Sequence, residues 1–188
     1  MLSVEENRYL TYADSTAAEN TKMTQSVEIG SSPWALELDA RMASLIHPNV
    51  SGSGKGFKLE IVADGKKHSF VFNDENKLYI NQMQGSDIQV ETNLISDHYF
   101  DQWGIAYDEY ERLIVTKNGE KLGVWSSTGI PAAEEDRITF INEAGPNVSG
   151  ETEVYMDRIK LTKKIMPEWS EFQPLIDGVT ILPTSDSD

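Results

Sequence analysis

The feature that most constrains this chain is a repeated alternation of apolar and polar side chains in short runs. In residues 34–42 every second side chain is apolar, and these are Trp34, Leu36, Leu38, Ala40 and Met42. Similar runs cover residues 57–61, 68–73, 77–81, 98–107, 111–117, 121–125, 137–141 and 153–162. Successive side chains of a β-strand point to opposite faces, so each run predicts a strand with one buried face.

The segments between the runs carry the chemistry of tight hairpin turns. Asp64-Gly65 and Asn118-Gly119 each separate two alternating runs. Both dipeptides tolerate the positive φ angles of a type I′ turn, whose twist matches that of paired strands. About ten strands at regular spacing predict an all-β fold, a two-layer antiparallel β-sandwich.

The domain organisation follows from where these runs begin and end. Residues 1–20 are polar, and we expect an edge strand near residues 8–13; the sandwich spans residues 21–164. Residues 165–188 contain three prolines and an acidic end, and we expect a wrapped segment or a linker there. The loop 126–136 is expected to hold one helical turn through residues 132–135.

The charge of the chain excludes several classes of partner. The formal net charge is −15, with 31 acidic and 16 basic residues, so nucleic acids and anionic membranes would be repelled. No stretch approaches the roughly 20 apolar residues of a membrane span, so membrane insertion is not expected. The chain has no cysteine, and residues 1–20 lack the pattern of a signal peptide. It either stays inside the cell or begins as a mature secreted domain.

Four segments resemble the concanavalin A-like, laminin-G-like jelly rolls. Residues 34–42 (WALELDARM) resemble the early core strand of that family, and residues 56–72 resemble its next hairpin. Residues 102–125 are similar to its Trp-led strand, Asn-Gly turn and following strand, and residues 150–162 resemble its closing strand. The resemblance implies a jelly-roll fold, an extracellular or periplasmic location, and sugar binding, adhesion or a role beside a glycan-degrading enzyme. The oligomeric state stays open.

The sequence of this early core strand argues against a glycosidase of that fold. Retaining enzymes need two carboxylates about 5 Å apart, which a Glu-x-Asp-x-(x)-Glu string on one strand can supply. Glu37 and Asp39 match the first two acids, but Arg41 and Met42 occupy both positions open to the last. A uronate lyase would need a base and a carboxylate-neutralising group. The available residues Gln82, His98, Tyr99 and Arg112 do not fall into that class's strings.

Sugar sites combine an aromatic platform with polar groups that fix hydroxyls. Three aromatic residues at strand ends or beside loops are the candidate platforms: Trp125, Tyr79 and Tyr99. Their predicted hydrogen-bonding neighbours are Asp97, Asn81 and Gln82. Trp34 and Trp103 lie in core register and are expected to pack inside.

A structural calcium ion is the one cofactor that the sequence suggests. By alternation Asp157 shares a face with Tyr155, Ile159 and Leu161, so it is expected to point into an apolar region. A buried carboxylate must be paired or metal-bound. Its expected partner is Arg41, or a calcium ion shared with Glu151. The pairing is favoured over the ion.

The predicted function is therefore a non-catalytic, lectin-like carbohydrate-binding domain with a glycan as its partner. A glycoside hydrolase or polysaccharide lyase of the same fold is one alternative. A protein-binding adhesion or structural domain is the other.

Overall fold

A computed structural model describes the chain in eleven ranges. These are residues 2–3, 9–14, 21–31, 33–45, 47–48, 56–73, 76–80, 88–96, 98–126, 129–143 and 148–163. The predicted site residues Asp97, Asn81 and Gln82 lie outside them, as do residues 165–188.

Within these ranges the chain forms sixteen β-strands and no helix. The strands are β1 (Leu2–Ser3), β2 (Tyr9–Asp14), β3 (Thr21–Ser26), β4 (Trp34–Ser44), β5 (His47–Pro48), β6 (Gly56–Ala63), β7 (Lys66–Asn73), β8 (Lys77–Ile80), β9 (Ile88–Glu91), β10 (Asp101–Tyr107), β11 (Arg112–Lys117), β12 (Glu120–Ser126), β13 (Ile130–Pro131), β14 (Arg137–Glu143), β15 (Val148–Ser149) and β16 (Glu151–Lys163). The described part of the chain contains no helix long and apolar enough to cross a bilayer.

The strands build two large antiparallel sheets. The first sheet has the order β1-β16-β4-β10-β11-β12, with β2 also paired to β16. The second has the order β3-β14-β6-β7-β8-β9, with β13 paired to β7, and β15 pairs with β5 apart from both. The predicted antiparallel β-sandwich is confirmed.

One apolar interior lies between the two sheets. The alternating residues of 34–42 are all buried, as are Phe57, Leu59 and Ile61 of β6 and the facing Phe70 and Phe72 of β7. Trp34 and Trp103 are each 1% exposed, as their register predicts. Burial of such side chains contributes roughly 1.5–3 kcal/mol each, which makes this interior the main source of stability.

The two predicted hairpin turns have the expected backbone. Asp64 and Gly65 have φ angles of 49° and 69°, and Asn118 and Gly119 have φ angles of 52° and 78°. Two successive positive φ angles define the type I′ turn, so this prediction is confirmed. The Asn118 side chain ties the β11–β12 turn to the neighbouring strand β10 by accepting a hydrogen bond from the Gln102 backbone N–H at 2.8 Å.

Two local predictions are wrong. Residues 132–135 form an irregular segment instead of a helical turn, and the chain is extended just before them, where β13 pairs with β7. The run 98–107 becomes a strand only from Asp101, since residues 98–100 project as a loop.

Asp136 fixes the connections at one end of the sandwich. Its carboxylate accepts hydrogen bonds from the backbone N–H groups of Ile29 (2.9 Å), Gly30 (2.6 Å) and Asp64 (2.9 Å). One side chain thus joins the start of β14 to the segment before β4 and to the β6–β7 turn. Backbone donors that would otherwise lack a partner are satisfied there.

Candidate functional site

The predicted platform residues do not form one site. Trp125 lies opposite Leu113 on the edge strand β12, at the end of the first sheet where β10 finishes with Tyr107. Tyr99 precedes Asp101, at the opposite end of β10. The seven residues of β10 separate the two ends by roughly 20 Å.

The three predicted platform residues also differ in how far they are buried. Tyr79 is only 1% exposed, so its ring has no free face for a sugar and the prediction of a platform there is wrong. Trp125 is half-buried against the core, and its ring lies over Gly123, where a Cβ atom would overlap it. Tyr99 is 76% exposed and stays available.

Asp157 and Glu151 cannot share one calcium ion. They lie six positions apart along β16, which places them roughly 20 Å apart, whereas calcium–oxygen distances are about 2.3–2.6 Å. Among the residues that the structure describes, no three His, Asp or Glu side chains cluster closely enough to hold a metal ion.

Asp157 also points away from the interior, contrary to the prediction. Asp157 lies opposite Asp39 and Lys160 lies opposite Glu37, so three steps on β16 match two on β4. The extra residue is a β-bulge at Arg158, which has a φ angle of 40°. The bulge reverses the alternation, so Asp157 and Lys160 share the outer face of the first sheet.

The bulge brings a guanidinium to that outer face. Arg158 Nε and Nη2 donate to Asp39 Oδ2 at 2.7 and 2.6 Å. The Arg158 backbone N–H donates to Asp157 Oδ1 at 2.8 Å. Two aspartates that face each other across β4 and β16 would repel, and the positive charge of Arg158 offsets that repulsion.

The next facing pair on the same outer face is Arg41 and Tyr155. The Arg41 guanidinium lies over the Tyr155 ring, 4.2 Å from its centroid, in a cation–π contact. The Tyr155 hydroxyl donates to the Glu153 carboxylate, and this hydrogen bond raises the pKa of Tyr155. Gln102 of β10 lies opposite Asp39 on the same face. We call Asp39, Arg41, Gln102, Tyr155, Asp157 and Arg158 the outer-face site.

An exposed aromatic loop adjoins this site. Ser96 donates its backbone N–H to Met42 O at 2.9 Å, and Asp101 pairs with Ala40, so residues 98–100 project beside β4 at the level of Arg41. We call residues 98–100 the aromatic loop. Tyr99 and Phe100 are 76% and 38% exposed, and the His98 ring meets the Tyr99 ring edge-on. The Tyr99 backbone N–H donates to Ser96 Oγ at 3.2 Å, which ties the loop to its base.

Sequence reasoning found part of this arrangement. It identified Tyr99 and considered Asp157, but it assigned Asp157 to the inner face and did not consider Arg158. The contact between Arg158 and Asp39 joins residues 119 positions apart, and no local pattern reveals it.

The opposite end of the sandwich holds a closed aromatic cluster. His68 is 1% exposed, and its ring lies 4.6 Å from the Tyr107 ring and 5.7 Å from the Trp34 ring. Burial, with a smaller contribution from the charge of Lys66, lowers the pKa of His68 to about 4. Lys66 bridges the two sheets by a 2.5 Å ion pair with Glu111, which raises the Lys66 pKa.

Solved structures with the same architecture place this chain among known folds. A sialidase superposes with a TM-score of 0.60 over 87% of this chain, at 9% identity. The β-glucanase of Bacillus licheniformis gives 0.52 over 82% of this chain and 78% of its own, at 12% identity. An alginate lyase of Zobellia galactanivorans gives 0.51 over 82% and 77%, at 11% identity. The fold is the concanavalin A-like jelly roll.

These similarities establish the fold alone. The chain spans 16% of the length of the sialidase. No protein family model matches the sequence, and no curated protein sequence matches it. Identities near 10% carry fold and not activity.

Proposed function

We propose that the chain is a carbohydrate-binding domain that holds a glycan at the outer-face site with the aromatic loop as platform. The observation that carries this proposal is that two exposed aromatic rings lie in the loop that enters β10, beside the strand β4 that carries Asp39 and Arg41. Sugar rings have apolar faces that stack on aromatic rings and hydroxyl edges that need donors and acceptors. The site supplies both within one corner of the jelly roll.

The polar groups of the site are already held in place. Arg158 is bound by Asp39, Arg41 is stacked on Tyr155, and the Tyr155 hydroxyl is bound by Glu153. A site whose side chains are ordered before binding loses less conformational entropy when the ligand arrives. This preorganisation favours a binding role. An extracellular or periplasmic location would expose such a site to glycans, and we include it in the proposal.

A glycan array followed by titration of the hits tests the proposal. We expect glycan hits, and we expect Tyr99→Ala to weaken binding of the best hit about tenfold, since stacking one Tyr ring contributes roughly 1–1.5 kcal/mol. Tyr110→Ala is the matched control, because Tyr110 is 70% exposed at the opposite end of β10. An array without hits, or equal effects of the two variants, would contradict the proposal.

A hydrolase is the second candidate, and one observation favours it. Asp39 directly faces Asp157, and the Cβ atoms of facing residues lie about 4.5–5.5 Å apart, close to the carboxylate spacing of retaining glycosidases. Arg158 occupies Oδ2 of Asp39, which argues for a structural pair. Product analysis on the array hits decides between the two roles. Release of shorter sugars by the wild type and not by Asp157→Asn would establish the hydrolase.

A further inference from the structure

We infer that Asp39 makes the outer-face site selective for neutral glycans, because its carboxylate neutralises the guanidinium that would otherwise attract an acidic sugar. The inference rests on the proposed carbohydrate-binding function and adds the class of glycan and the residue that sets it.

The charges of the site are closely balanced. The outer face of β16 and β4 carries three cations and three anions in three neighbouring facing pairs and the bulge. The cations are Arg41, Arg158 and Lys160, and the anions are Glu37, Asp39 and Asp157. Glu153, beside Tyr155, adds one further carboxylate. An anionic ligand therefore meets no excess of positive charge here, on a chain whose formal net charge is −15.

Arg158 is the most accessible of these three cations, since Arg41 and Lys160 are half-buried. Its side chain is 66% exposed, whereas that of Asp39 is 18% exposed, so the guanidinium is presented outward on a partly covered carboxylate. Two of its nitrogens already donate to Asp39 Oδ2. A ligand carboxylate that accepts from the remaining guanidinium N–H groups would lie beside both Asp39 and Asp157, whose negative charges oppose it.

A neutral sugar meets no such obstacle. A hydroxyl group both donates and accepts, so neighbouring hydroxyls can accept from guanidinium N–H groups and donate to carboxylate oxygens at once. The ion pair between Asp39 and Arg158 can therefore stay intact when a neutral glycan binds.

Asp39→Asn tests this role because it removes the charge and keeps the shape. We expect the variant to bind hexagalacturonate about tenfold more tightly than the wild type does. A tenfold gain in affinity corresponds to roughly one additional charge-assisted hydrogen bond. The gain should vanish in about 1 M salt, where the Debye length is about 3 Å, and in the double variant Asp39→Asn/Arg158→Gln. The wild type should prefer neutral array glycans to sialylated or uronate-containing ones.

Glu60→Gln is the matched control, because it also removes one carboxylate beside a cation. Glu60 lies 3.8 Å from Lys67 on the outer face of the second sheet. It leaves the outer-face site unchanged, so any gain in hexagalacturonate binding that it shares with Asp39→Asn is a general effect of net charge. If Asp39→Asn does not fold, as judged by circular dichroism, Asp39→Ser removes the same charge with a smaller side chain.

The outcomes separate this inference from the function on which it rests. A wild type that binds neutral glycans, with a gain of acidic-sugar binding confined to the Asp39 variants, supports the inference. Equal gains in Asp39→Asn and Glu60→Gln, no gain in either, or a wild type that prefers acidic glycans would overturn it while carbohydrate binding stands. A wild type without any glycan hit would remove the proposed function itself, and the inference with it.

Discussion

The buried His68 gives the fold a stability that depends on pH. In the unfolded chain a histidine titrates near pH 6.5, whereas burial and the Lys66 charge lower the pKa of His68 in the folded protein to about 4. Between these values the unfolded chain binds a proton that the folded protein does not. The contribution of neutral His68 to the free energy of unfolding is therefore fully present above about pH 6.5 and is lost as the pH falls toward 4.

The size of the effect follows from this shift in pKa. Each pKa unit corresponds to 1.36 kcal/mol, so the full loss is about 3 kcal/mol, of which roughly 2 kcal/mol is reached at about pH 5. The groups around the ring are the aromatic Trp34 and Tyr107, with Lys66 and Glu111 at the mouth of the cluster. Burial raises the pKa of Tyr107, so it stays neutral throughout this range.

His68→Phe removes the titrating group and keeps an aromatic ring in the core. Urea unfolding followed by tryptophan fluorescence at about pH 7.5 and pH 5 gives the change in unfolding free energy for each protein. Surface carboxylates contribute equally to both proteins, so we expect the wild type to lose about 2 kcal/mol more than the variant. Equal losses would refute the assignment, even if the variant is less stable at both pH values.

Three further changes test the fold itself, each by urea or thermal unfolding. Asp136→Ala should cost about 2–4 kcal/mol, because three backbone donors lose their acceptor; a loss below about 1 kcal/mol would contradict this role. Gly56→Ala should cost more than about 3 kcal/mol, since Gly56 has a φ of 142° and its Cβ would overlap the Phe72 carbonyl. Gly150→Ala is its control, with a φ of 82° and open space, and should cost only about 1–2 kcal/mol. Arg158→Gly should be about 1 kcal/mol more stable than Arg158→Ala, because both lose the ion pair but only glycine relieves the positive φ; equal stabilities would argue against strain there.

The sequence predicts the core of this protein well because burial on one face leaves a direct trace in the residue pattern. The strand 34–42 and the hairpin of β6 and β7 lie as their alternation predicts, and their type I′ turn contains residues that tolerate positive φ angles. These features are local, since each depends on neighbouring residues of one strand or one turn.

Tyr79 shows what alternation cannot predict. It lies opposite Val71, and that residue is also 1% exposed, although both point away from the interior between the sheets. An alternation with a period of two residues shows which side chains share a face of the sheet. It does not show whether other parts of the protein cover that face. A platform residue cannot be chosen from strand position alone for this reason.

The bulge at Arg158 shows how one inserted residue decides where the site lies. Met156 and Leu161 both point into the core, although they lie five positions apart. On a regular strand, two residues separated by an odd number of positions face opposite sides of the sheet. Both can face inward only if one extra residue lies between them. That spacing is visible in the sequence. It is ambiguous there, because Ile159 and Leu161 continue an equally regular alternation with Tyr155 and Asp157. Pairing with β4 resolves the ambiguity: Leu161 must face Leu36, and the bulge then places Asp157 opposite Asp39 with Arg158 bound to Asp39. The polar half of the proposed sugar site is thus a consequence of core packing on the other side of the same sheet.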